Sequence, residues 1–204
     1  MDVTTMRRRL LAAALLAALP LSALAQASGQ GGFKIGDRLQ PKSGPPERKA
    51  ARFREIKWDE LISPSWNPEA IIKSLNVDTL LDSDPRAIAA MERLRQEWDN
   101  APGNPALEGA DVRLPGFVVP LEREGNALRE FLLVPYFGAC IHVPPPPANQ
   151  TVYVVAKKPA KDTATMDAVW VSGRISLYRM RTRMGAIGYR LDAELVEPYV
   201  ANKP

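Results

Sequence analysis

Five runs rich in β-branched, aromatic and aliphatic residues fill the last ~90 positions of this chain, and they constrain its fold more than anything else in it. They are Val112 to Glu122, Leu128 to Phe137, Thr151 to Lys157, Ala168 to Tyr178 and Tyr189 to Tyr199. Glu124-Gly125-Asn126 supplies turn chemistry between the first two, which predicts a hairpin. Val152, Val154 and Ala156 alternate with Tyr153 and Val155, so that run reads as a strand covered on both faces. Leu191, Ala193 and Leu195 alternate with Asp192 and Glu194, the pattern of a half-buried strand. Strands this short and close leave many edges, and closure into a barrel removes them. The expected fold class is α+β: a small antiparallel β-barrel, OB-like, preceded by two or three short helices. A β-sandwich is the alternative.

The helices lie upstream. Ile56, Trp58, Leu61 and Ile62 sit among charges in residues 51–63, suiting a short helix or extended segment docked on the barrel. Ile71, Ile72 and Leu75 follow Pro68 at helical spacing. The clearest helix begins at Asp84-Pro85, an N-cap followed by a proline suited to the first turn. Ile88, Met91, Leu94 and Trp98 then share one face, and Asn100-Ala101-Pro102-Gly103 ends it. Residues 51–204 therefore read as one globular domain, helical over 51–100 and barrel over 107–200. Trp58, Trp66, Trp98 and Trp170 read as core anchors, and Arg179, Arg181 and Arg183 as a solvent-facing strand end.

The N-terminus reads as an export signal. Arg7-Arg8-Arg9 precedes an unbroken apolar run from Leu10 to Leu19, Pro20 breaks it, and Ala23-Leu24-Ala25 offers a cleavage site. The run is shorter than the ~20 residues a bilayer span needs. Cleavage after Ala25 (or Ala27) leaves about 180 residues, a periplasmic or secreted chain with no stable membrane span. An uncleaved amphipathic helix is the competing reading. Removing residues 1–25 takes away three Arg and one Asp, so the charge falls from +4 (27 − 23) to +2 (24 − 22). That balance excludes a nucleic-acid reading. Residues 26–50, rich in Gly, Ser, Gln and Pro, read as a flexible lead-in.

One segment can carry chemistry. The chain has one cysteine and one histidine, and they stand two apart in Cys140-Ile141-His142, followed by Pro144 to Pro147 and then Asn149 and Gln150. In extended backbone such residues face the same way, with Cα atoms roughly 6.6 Å apart. Thiolate and imidazole then converge on one zinc ion or one substrate. A zinc site wants three or four ligands. Glu122 and Glu124, at the end of the first strand pair, are candidate carboxylates, though such charges more often solvate a turn, and two chains meeting here would assemble a Cys₂His₂ set in a homodimer. The proline run has no N–H and takes a stiff path off the central ladder, framing the pair. Asn149 and Gln150 offer amides to cap prolyl carbonyls or orient a ligand. A thiol enzyme using Cys140 and His142 as a dyad is the second reading. An interaction module with an inert thiol is the third.

Leu114-Pro115-Gly116-Phe117-Val118-Val119-Pro120-Leu121-Glu122 and the segment from Phe131 to Gln150 resemble a family of exported bacterial proteins catalogued as a domain of unknown function. Its hallmark is a G-[YF]-V-V-P-L-E strand followed by G-A-C-I-H-x-P-P-P-P-x-N-Q, and the match spans about Trp58 to Pro198. The resemblance implies a periplasmic protein or lipoprotein. Its association with zinc-regulated ABC transporters implies an accessory role in metal uptake beside a permease or another periplasmic partner. It carries over Cys140 and His142 as the functional pair. Together these readings favour a binding or accessory protein over an enzyme.

Overall fold

A computed structural model of the chain describes residues 32–39, 50–75, 81, 83–125 and 127–199. The N-terminal segment expected to be an export signal and the remainder of the lead-in lie outside the described residues.

The chain enters the barrel through a two-residue strand, β1 (Arg54–Glu55), parallel to the start of the long strand β2 (Asp111–Glu124). A single 3-10 turn over Trp58–Leu61 follows and buries Trp58 and Leu61. The Trp58 indole N–H donates to the carbonyl of Pro115 (2.7 Å), an acceptor in the middle of β2. Two helices come next, α1 (Pro68–Leu75) and α2 (Pro85–Asp99). Asp84 caps α2 as its residue type predicts, its carboxylate accepting from the Arg86 N–H (2.8 Å), with Pro85 at the first position. No helix among the described residues is long and apolar enough to cross a membrane.

Five strands close the barrel: β2, β3 (Ala127–Val134), β4 (Val152–Ala160), β5 (Ala168–Thr182) and β6 (Gly185–Pro198). The order around it is β2-β3-β4-β6-β5, with β5 returning to β2. The first half of β2 pairs with β5, from Asp111↔Arg174 to Phe117↔Ala168. Its second half pairs with β3, from Phe117↔Val134 to Glu124↔Ala127. One strand thus turns from one neighbour to the other at Phe117, which closes the sheet and leaves it no free edge there. The barrel is mixed and not wholly antiparallel: β4 and β6 run parallel, from Val152↔Tyr189 to Ala156↔Ala193. The strand order, with one parallel pair, is OB-like.

Alternation decides the interior. Val112, Leu114, Val152, Val154, Val171 and Leu191 point inward and are essentially solvent-free. Each fully buried aliphatic side chain of this kind contributes roughly 1.5–3 kcal/mol. Tyr189 crosses the core, and its hydroxyl donates to the Leu61 carbonyl (2.7 Å), fastening the 3-10 turn to β6. Burial pushes that phenol up to about 12.

A second apolar cluster lies on the outer face around Phe117, Leu132, Val134, Phe137 and Ile187. Here the lead-in departs from expectation. Phe33 packs edge-on against Phe117 at 5.1 Å, Leu39 is buried, and the Phe137 N–H donates to the Asp37 carbonyl (2.9 Å). Residues 32–39 are docked chain, because two apolar residues in a polar stretch find an uncovered aromatic face.

The helix α2 also differs. Its apolar stripe does not enter the barrel core: Ile88 is 60% exposed, Met91 58% exposed, and only Ala87 is buried. Trp98 packs on Trp66 with ring centroids 5.7 Å apart, and Trp58 and Trp170 alone of the four tryptophans are buried.

Candidate functional site

The Cys–His segment forms where β3 runs out. After Val134 the chain bridges to the lead-in at Arg38↔Tyr136 and then turns sharply. The carbonyl of Gly138 accepts from three successive N–H groups: Ile141 (3.2 Å), His142 (2.8 Å) and Val143 (3.3 Å). Cys140 sits in the left-handed region with φ 64°. The extended backbone expected for Cys140-Ile141-His142 is therefore replaced by a tight turn, and the alternation rule that placed both side chains on one face does not apply. Cys140 is half-buried against the outer apolar cluster, whereas His142 is exposed. The Gly138 N–H points at the thioether of Met166 (Sδ 3.1 Å), so sulfur and aromatic groups surround the base of this turn.

The chemistry follows from this placement. Burial pushes the Cys140 thiol up to about 11. A nucleophilic thiolate is disfavoured at neutral pH in such surroundings. Nearby, burial raises Tyr136 above the usual phenol range, and charge on Cys140 adds to the shift. Among the described residues no three His, Cys, Asp or Glu side chains converge on a point that could hold a metal. Glu122 is exposed in the β2–β3 ladder opposite Glu130, five residues along β2 from Phe117. It does not join Cys140 and His142. Two donors, one of them a protonated half-buried thiol, do not make a zinc site within one chain.

The frame residues are structural in a way their sequence position does not reveal. The Tyr136 hydroxyl donates to the Pro144 carbonyl (3.3 Å), and the Gln150 N–H to the Pro147 carbonyl (2.8 Å), so both ends of the proline run are anchored. Asn149 and Gln150 are buried. Their amides reach away from the proline run: Asn149 Nδ2 donates to the Pro102 carbonyl (3.0 Å) and Gln150 Nε2 to the Trp58 carbonyl (2.7 Å). They hold the helical segment on the barrel.

The helix face, the proline run and the arginine-bearing strand end, separate features in the sequence, together line a groove of about 960 Å³ between α2, Pro144 to Pro146 and the β5–β6 tip. Ile88, Met91 and Trp98 present the apolar stripe of α2 to it. An ion pair and a hydrogen bond hold the helix: Arg181 Nη1 lies 2.9 Å from Asp99, and Arg179 donates to Asn100 (3.1 Å). The alternating arginines predicted to face solvent do so, and two of them, Arg179 and Arg181, also tether α2. Their spacing was legible; their partner on a distant helix was not.

These elements define an OB-like barrel that carries a docked N-terminal segment, a polyproline wall and an outlying helix. Residues 58–198 match the family described as a protein of unknown function, DUF3299, and the chain belongs to that family. It is similar to the crystal structure of a DUF3299 family protein from Pseudomonas aeruginosa PAO1, with 38% identity and a TM-score of 0.58 over 74% of this chain and 99% of that one. No curated protein is similar to the chain.

Proposed function

We propose that this protein is an exported binding module that acts by shape, as an accessory to an envelope partner, and that Cys140 is a packing residue. The observation that carries the reading is the groove, where an amphipathic helix leaves its apolar stripe uncovered beside a rigid proline wall. The raised, half-buried thiol supports the choice of binding over thiol catalysis. The envelope location rests on the basic and apolar N-terminus. The transporter association suggested by the family resemblance fits an accessory role in which the chain supplies a surface and no zinc ligand set of its own.

Thiol labelling of the purified chain with an aromatic disulfide reagent, with and without zinc, tests this. Slow labelling at neutral pH that accelerates only on unfolding is the expected result. Fast labelling of the folded protein returns the reading to a thiol enzyme. Protection by stoichiometric zinc returns it to a metal site.

A further inference from the structure

We infer that the groove between α2, the proline wall and the β5–β6 tip binds a single-chain amphiphile with one anionic head, of the long-chain carboxylate class. The inference rests on the binding-module reading above and specifies its ligand.

The walls disfavour a peptide held by its backbone. Pro144, Pro145 and Pro146 have no N–H to donate, and the backbone of α2 is satisfied within the helix. The prolyl carbonyls accept, but an extended peptide would leave its own carbonyls without backbone donors on these walls, whereas an aliphatic chain has none to satisfy. The floor suits such a chain. Ile88 and Met91 are exposed side by side on the helix, and a thioether adapts to an irregular aliphatic surface. The groove lies within the size range of small-molecule sites, roughly 300–1,000 Å³.

Charge selects the head group. Five ionic side chains line the groove. Arg95 pairs with Glu92 (2.7 Å) and Asp99 (3.1 Å), and Arg181 pairs with Asp99 (2.9 Å). Two cations thereby balance two anions. Arg183 is the remainder: it is exposed and has no ionic partner among the described residues. The hydrogen bonds from Arg95 and Gln96 hold Glu92 down to about 2, so the network stays charged and Arg183 keeps its surplus at neutral pH. One uncompensated cation on the lining of an apolar groove complements one anion on an aliphatic chain.

Isothermal titration of the full mature chain with hexadecanoate, hexadecanol and hexadecyltrimethylammonium, each below its micellar concentration, tests the inference. Hexadecanoate should bind one to one. The cationic amphiphile should bind at least about fivefold more weakly, the ratio an exposed ion pair supplies. Arg183→Ala should weaken hexadecanoate about fivefold and leave hexadecanol unchanged. Met91→Glu, at a position already exposed, should abolish binding of both while the thermal midpoint stays put. Equal binding of anion and cation, no effect of Arg183→Ala, or no binding of hexadecanoate would overturn the inference, as would preferential binding of an amphipathic helical peptide. A chain that ignores hexadecanoate while Cys140 still labels slowly overturns only the ligand class; fast labelling overturns the underlying reading.

Discussion

Gly185 packs so closely on Pro145 that a Cβ added to it would stand 2.7 Å from the proline Cβ. The glycine also holds φ 128°, which side-chain-bearing residues rarely adopt. The tip of the β5–β6 hairpin and the proline wall are thereby locked together, and the groove inherits its rigidity from that contact. Gly185→Ala should cost about 2 kcal/mol or more, since it adds a backbone conflict to a steric one. Chemical denaturation measures it. A neutral result would mean that the hairpin tip moves freely away from the prolines.

Cys140 makes alkaline stability a local readout. Its thiol titrates near 9.0 when free and is pushed up to about 11 by burial. Between these values the folded state keeps a proton that the unfolded state has lost, so stability falls as pH rises through the window. Below pH 9 the contribution is complete; above 11 it is gone. Because the side chain is partly exposed and screened, the loss should be on the order of 1 kcal/mol across the window. Tyrosines titrate in the same region, so the comparison is between the wild type and Cys140→Ser, whose denaturation midpoint should decline less from pH 9 to 11. His142→Ala, at an exposed site, should change stability by less than about 0.5 kcal/mol at neutral pH.

Gln150 joins two parts of the chain that sequence places far apart. Its amide reaches the Trp58 carbonyl 92 positions upstream, in a buried setting. Gln150→Leu keeps most of the volume and leaves that carbonyl without its donor, at a cost of about 1–3 kcal/mol. The resulting loss should show in the Trp58 environment by fluorescence before the barrel unfolds. Full cooperativity with the barrel would mean that the segment and the barrel fold as one unit.

What the sequence disclosed tracks the range of the forces involved. The Asp84-Pro85 start of α2 and the turn at Gly125 are set by neighbouring residues, and both were legible. So were the five strands, because alternation at Val152, Val154 and Ala156 or at Leu191 and Ala193 is a local pattern. The parallel pairing of β4 with β6 is non-local, and nothing in either strand announces its direction. The left-handed residue at Cys140 was hidden because it depends on one carbonyl, that of Gly138, collecting three donors. The same limit applied to Asn149 and Gln150, whose partners lie 47 and 92 residues away. Ile88 and Met91 do share a helix face, but periodicity reports an apolar face and not what covers it.

The tether on α2 yields the last prediction. Arg179 reaches Asn100 at 3.1 Å and Arg181 reaches Asp99 at 2.9 Å, both from β5 to the end of the helix. The arginine side chain of the second pair is 61% exposed, so water screens it, and each contact is worth at most about 1 kcal/mol. The barrel does not depend on them, since its own ladders run from β2 through β6. The double variant Arg179→Ala/Arg181→Ala should therefore leave global stability within about 1–2 kcal/mol of wild type, while amide exchange in α2 speeds up and exchange in β2 and β6 does not. High salt should produce a weaker version of the same change in the wild-type chain, because screening acts on the Arg181–Asp99 pair directly. Unchanged exchange in α2 would show that its apolar contacts, the Trp66–Trp98 pair and buried Ala87 among them, hold the helix without the arginines.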